Sequence, residues 1–161
     1  EMGPFINVAP RVGECAKDFT ALGLDGKPIK LSDFKGKRII LETGSVTCPM
    51  FGDNIEGMNR VVKKFTDDNT VFLMLYVREA HPGGKLPAHQ SQVDKISAAK
   101  STAELSHPNR IFLVDDIAGA FINSGENFQI HYGLSMKKAG LAFVVTGMTG
   151  RCLRVFWKQT T

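Results

Sequence analysis

From Cys48 onward, apolar residues recur at Phe51, Ile55, Met58, Val62 and Phe65, with Asp53, Glu56, Arg60, Lys63 and Lys64 between them. Offsets of four, three, four and three predict one apolar face of a helix. Two runs without alternation flank it, Arg38 to Glu42 and Thr70 to Val77. Such runs suit strands covered on both faces in a parallel sheet, so the three segments predict a strand–helix–strand unit with a right-handed crossover. Val93 to Leu105 reads as a second helix stopped before Pro108, Arg110 to Val114 as a third buried strand, and Ile117 to Ser124 as a short helix. Gly140 to Thr146 and Arg151 to Trp157 read as the last two strands, joined through Gly147-Met148-Thr149-Gly150. In the final strand Leu153, Val155 and Trp157 share one face, with Cys152, Arg154 and Phe156 opposite.

The segment before the first buried run is more irregular. Residues 1–14 carry two prolines and two glycines and predict an irregular lead-in. Asp18 to Leu22 and Pro28 to Leu31 flank the Asp25-Gly26-Lys27 turn, a β-hairpin signal. Ser32-Asp33-Phe34 predicts one helical turn ended by Gly36. Alternating strands and helices predict one α/β domain over residues 1–161, with a central, mostly parallel sheet and an antiparallel hairpin at its end. Ligands of such sheets bind beyond the carboxyl ends of the strands. Cys48 follows the first buried strand, and the polar, Pro- and Gly-rich stretch 78–92 follows the second. Topology alone therefore brings the thiol, His81 and His89 to one edge.

Composition narrows the function classes. A chain of 161 residues with 43% hydrophobic and 22% charged residues suits one ordinary globular domain. The net charge of +4 comes without a basic run carrying interleaved aromatics, so Lys63-Lys64 and Lys137-Lys138 read as solvated faces and nucleic acid is not an expected partner. An anionic substrate fits that balance. The three cysteines, Cys15, Cys48 and Cys152, are too few and scattered for a disulfide framework or a zinc finger. They suit a reducing compartment, so a cytoplasmic location is expected. No stretch has the length of a membrane span or reads as a signal peptide, and the chain opens on Glu1 rather than Met, which leaves room for a preceding native segment.

The candidate chemistry centres on Thr43-Gly44-Ser45-Val46-Thr47-Cys48-Pro49-Met50-Phe51. Cys48 falls at or just before a helix N-terminus, with Pro49 at the first helical position, where a missing N–H costs nothing. That helix end favours an anion and hence a thiolate, and the Ser45 and Thr47 hydroxyls are placed to donate to the sulfur. The alternative is a small apolar residue closing a strand. His107 and His131 read as structural, Cys15 and Cys152 as non-resolving, and Arg78, Arg151 and Arg154 as solvated cations.

Several motifs resemble known proteins. Val12-Gly13-Glu14, Asp18-Phe19-Thr20, Asp25-Gly26-Lys27 and Leu31-Ser32-Asp33-Phe34-Lys35-Gly36-Lys37 resemble the opening of peroxiredoxins and other thioredoxin-fold redox proteins. Gly44-Ser45-Val46-Thr47-Cys48-Pro49-Met50-Phe51 resembles the iodothyronine deiodinase segment Gly-Ser-Cys-Thr-Sec-Pro-Pro-Phe, with cysteine in place of selenocysteine. Tyr76-Val77-Arg78-Glu79-Ala80-His81-Pro82 is similar to that family's Tyr-Ile-Glu-Glu-Ala-His-Pro. His89 followed by Asp94-Lys95-Ile96-Ser97-Ala98-Ala99 is similar to its downstream His and Asp-Arg-Val-Ser-Ala-Ala helix.

The resemblance implies a peroxiredoxin-like thioredoxin fold, with a central mixed sheet flanked by helices and an N-terminal β-hairpin. It implies a thiol-dependent oxidoreductase that reductively removes iodine from an aromatic ring. By position Cys48 would be the nucleophile, Ser45, Thr47 and His89 a proton relay, and His81, Glu79 and Phe51 substrate contacts. No cofactor is implied beyond an external thiol reductant, such as a dithiol or a thioredoxin-like protein. The partners implied are that reductant and a small-molecule substrate, and a homodimer is left open. Two other readings stand beside this one: a peroxiredoxin-like thiol peroxidase, and a non-catalytic ligand-binding module on the same fold. A Cys48/His81/His89 metal site is not expected, because copper-handling thioredoxin-fold proteins use a second nearby cysteine. The chain departs from the family at Val46 and Arg110, where cysteines are usual, in a shortened 78–92 loop, and around Lys137-Lys138 in place of a glutamate. Phe51 stands where CxxC dithiol exchange needs its second cysteine.

Overall fold

The computed structural model describes residues 18–84, 86–118, 142–147 and 153–157, with only the backbone of the last two segments. Asp25-Gly26 turns the chain between β1 (Thr20–Gly23) and β2 (Pro28–Lys30), with Gly26 at φ 80°, a left-handed conformation open to glycine. The Asp25 carboxylate accepts the Lys27 N–H and tightens that turn. A 3-10 turn, Leu31–Phe34, follows, and Gly36 at φ 87° leads out of it. Then come β3 (Arg38–Gly44), α1 (Pro49–Phe65), β4 (Thr70–Tyr76), α2 (Gln92–Glu104), β5 (Arg110–Val114), β6 (Ala142–Gly147) and β7 (Leu153–Trp157).

The strands form one sheet in the order β2-β1-β5-β4-β3-β6-β7. Only β3, β4 and β5 run parallel; the β1–β2 hairpin pairs antiparallel to β5, and β6–β7 antiparallel to β3. The sheet is thus mixed rather than mostly parallel, because hairpins extend both flanks of its parallel centre. Central β4 is buried at every residue, as its unalternating sequence predicts.

Side chains divide between two cores by strand parity. Ile39, Leu41, Leu73, Leu75 and Leu113 face the side where Leu31 and Phe34 of the 3-10 turn pack. Met74, Tyr76, Phe112 and Val114 face the helices, meeting Phe51 of α1 and Ala99 of α2. The apolar stripe of α1 buries Phe51, Met58 and Val62, but Phe65 in its last turn is 51% exposed. In α2, Val93 is also exposed, because the helix turns Lys95, Ala99 and Thr102 inward instead.

One charged pair lies within the helix-side layer. Register places Glu42 beside Met74, and Arg110 beside Phe72. The Arg110 guanidinium reaches across β4 to Glu42 and forms an ion pair closed off from solvent. Burial pushes the Glu42 carboxyl up to about 7, with the Arg110 charge opposing that rise. Ile117 and Ala118 form a turn; the rest of the helix expected to Ser124, the lead-in, Cys15, Cys152, His131 and the 148–150 connection lie outside the described residues.

Candidate functional site

Cys48 caps α1: its backbone is extended at φ −86° and ψ 109°, and Pro49 occupies the first helical position. It is half-buried with a free thiol. The chain reaches this cap through a tight turn in which the Cys48 N–H donates to Ser45 O at 3.0 Å, and Gly52 N–H then bonds Cys48 O as the helix starts. Gly44 permits the close approach of Phe51, since a Cβ there would stand 2.5 Å from the ring. Phe51 is therefore a core residue beneath the cap and does not line the adjoining cavity.

The two hydroxyls are engaged away from the sulfur. Ser45 Oγ, fully buried, accepts the Ala80 N–H at 3.1 Å and ties the end of β3 to the loop after β4. Thr47 Oγ1 donates to Glu79 Oε2 at 2.5 Å and accepts the His81 N–H at 3.1 Å. The expectation that both donate to Cys48 is accordingly replaced by a tie between two loops.

Glu79 is the centre of the arrangement. Its Oε2 accepts the Thr47 N–H at 2.9 Å as well as the Thr47 hydroxyl. Its Oε1 accepts the Tyr76 hydroxyl at 2.5 Å and faces His89 Nε2 at 2.9 Å. A carboxylate has about four lone-pair sites, so this set fills it. Burial raises the Glu79 pKa, but hydrogen bonds from Thr47, Tyr76 and His89 outweigh that and leave it below the ordinary carboxylate value. An ionised acceptor requires His89 to carry a proton on Nε2. His81 Nδ1 lies 3.3 Å from Thr47 O, which can only accept, and so bears a proton in turn. Tyr76 is pushed up by burial and by its bond to Glu79, which keeps the phenol a donor, and its oxygen accepts the Val46 N–H at 3.3 Å.

A cavity of about 660 Å³ opens beside these groups. Arg78, Glu79, His81, His89 and Lys95 supply its polar wall, and Pro82 and Ile117 are among its apolar residues. Cys48 is outside the lining, one residue from Thr47, which holds His81 against the cavity. Lys95 is 1% exposed and donates to Asp116 O at 2.7 Å. Burial lowers its pKa, with Asp115, Asp116 and Glu79 opposing. Of the residues singled out from sequence, Ser45, Thr47, Cys48, Glu79, His81 and His89 are brought together here. Tyr76 and Lys95 were not singled out. Tyr76 is the polar-tipped end of an apolar strand, and Lys95 stands four residues before Ala99 on the inward face of α2; those were the available signals. Among the described residues no group of three His, Cys, Asp or Glu side chains is arranged to hold a metal ion, and no helix is long and apolar enough to cross a membrane.

The fold belongs to the thioredoxin-like class. The structure aligns with the thioredoxin domain of a thiol-disulfide oxidoreductase from Bacteroides vulgatus at a TM-score of 0.60 and 16% identity, covering 94% of this chain and 91% of that one. An exposed lipoprotein thioredoxin from Streptococcus pneumoniae aligns at a TM-score of 0.54 and 23% identity, covering 90% of this chain and 92% of that chain. Within the class the sequence is more specific: the iodothyronine deiodinase family model matches residues 8–128, and the chain belongs to that family. Chicken (Gallus gallus) thyroxine 5-deiodinase is 34% identical over 105 residues, 58% of this chain and 40% of the relative. Rat (Rattus norvegicus) type II iodothyronine deiodinase is 28% identical over 145 residues, 80% of this chain and 51% of the relative. The chain thus spans about half or less of the length of these two relatives.

Proposed function

We propose that this chain is a thiol-dependent oxidoreductase whose Cys48 removes iodine reductively from an iodinated aromatic substrate. The observation that supports this reading above others is the Glu79 network, which ties Thr47, the residue before Cys48, to His89 in the cavity wall. It joins a thiol at a helix N-terminus to an ordered set of proton donors beside a ligand-sized space.

The step balances as follows. The Cys48 thiolate attacks iodine along the carbon–iodine bond, an S–I bond forms, and the ring carbon keeps the bonding pair and takes a proton. An external thiol then attacks the sulfur of the sulfenyl iodide, expels iodide and leaves a mixed disulfide. A second thiol releases Cys48 in reduced form, so two thiols become one disulfide for each iodide. The proton for the ring carbon comes through His89 Nδ1, reloaded from solvent, while Glu79 holds His89 Nε2 and the Thr47 hydroxyl, and Thr47 and Ser45 complete the relay around it. His81 contacts the substrate from the cavity wall.

Offering iodophenols and hydrogen peroxide separately, each with a dithiol, tests the proposal. Iodide release that disappears in Cys48→Ser is the expected result, at a slow rate that Cys48→Sec raises. Peroxide consumption without iodide release overturns it in favour of a thiol peroxidase.

A further inference from the structure

We propose that the cavity selects an aromatic substrate carrying an anionic group and no ammonium group, with Arg78 as the specificity-determining residue. This deepens the functional reading above and rests on it for the aromatic part of the substrate.

Every carboxylate in the described cavity wall is already committed. Glu79 is the one acidic residue there, and four donors from Thr47, Tyr76 and His89 fill its oxygens. A substrate ammonium arriving at Glu79 would have to displace one of them, leaving a buried donor unpaired. The cations are less committed. Lys95 Nζ spends one of its three hydrogens on Asp116 O, though the nearby Asp115 and Asp116 carboxylates balance its charge. Arg78 is exposed in the cavity wall and makes no hydrogen bond or ion pair with any described residue. Its planar fork of donors matches a carboxylate in bidentate geometry. The histidines add no negative charge to it, and His89 Nε2 is held by Glu79 and His81 Nδ1 by Thr47 O.

Among its described residues the wall therefore offers a free guanidinium and no free carboxylate. An aromatic carboxylate satisfies it, whereas an amino acid brings an ammonium with no free carboxylate among the described residues to balance it. Pro82 and Ile117 supply apolar surface for the ring.

The test is equilibrium binding to Cys48→Ser protein, which cannot turn over, of hydroxyphenylacetate, hydroxyphenylacetamide and tyrosine, each with and without ring iodine. The acid is expected to bind about fivefold more tightly than the amide or the amino acid, with a preference that shrinks as salt rises. Arg78→Gln should abolish the preference and Arg78→Lys should keep part of it. Because Arg78 is exposed, neither change should disturb the fold, which thermal melting checks. Equal binding of acid and amide, tyrosine binding as tightly as the acid, or a preference that survives Arg78→Gln would each overturn the proposal. Iodide release is measured separately on active protein. Acid preference without iodide release leaves this assignment standing and removes the deiodination reading, and iodide release without acid preference does the reverse.

Discussion

Glu79, His89 and His81 sit on one short loop, yet their surroundings divide their roles. His89 is half-buried with Nε2 on the carboxylate, whereas His81 is exposed and its ring Nδ1 lies against the Thr47 carbonyl. General acid–base groups contribute roughly 100- to 10,000-fold to a rate. His89→Ala should therefore lower the maximal rate of iodide release on that scale, and Glu79→Gln should reproduce the effect by turning one of the two oxygens that orient His89 and Thr47 into a donor. His81→Ala should instead raise the half-saturating substrate concentration and leave the maximal rate nearly intact. Steady-state kinetics of the three variants check this, and equal, small effects from all three would remove the relay.

At the scale of elements, the start of α1 is fixed by how closely it packs on the end of β3. Gly44→Ala would drive a methyl group into the Phe51 ring, and overpacking of this kind costs about 1–3 kcal/mol. Because Phe51 lies three residues after Cys48, the shift should also disturb the cap, so lower urea resistance should appear together with slower alkylation of Cys48. The β3–β5 ion pair gives a separate expectation. Glu42 titrates near 7 in the fold against an ordinary value of 4.5, so the folded state binds the proton more tightly than the unfolded chain. Its contribution to stability is then present at low pH and lost as pH rises from about 4.5 through about 7. The loss is on the order of 3 kcal/mol across that window. Denaturant titrations from pH 5 to pH 8 should show wild type losing stability relative to Glu42→Gln; a parallel pair of curves would count against the assignment.

The whole molecule must obtain its reducing equivalents from outside if no second cysteine resolves Cys48. Cys48 is the free thiol among the described residues, and Val46 and Arg110 stand where the resemblance to the family implies cysteine. Arg110 is instead committed to Glu42 in a buried ion pair. The double variant Cys15→Ser, Cys152→Ser should retain iodide release with an added dithiol. Loss of turnover, measured on protein whose fold is confirmed by its far-ultraviolet spectrum, would identify one of them as a resolving thiol.

Sequence by itself determined the parts that depend on neighbours a few residues away. The spacing from Phe51 to Val62, the unbroken run of β4, the Asp-Gly turn and Pro49 after Cys48 each specify local backbone geometry, and each element appears where its pattern placed it. Alternation of strands and helices also located the edge that holds Cys48, His81 and His89. Tertiary structure alone decided which groups satisfy one another. Thr47 meets Glu79 from 32 residues away and Arg110 meets Glu42 from 68, and both distances close only through strand order and register. For the same reason Phe51 became core and Glu79 became a saturated acceptor. A side chain's identity shows what bonds it can make, whereas the packed sheet decides which of them are already used.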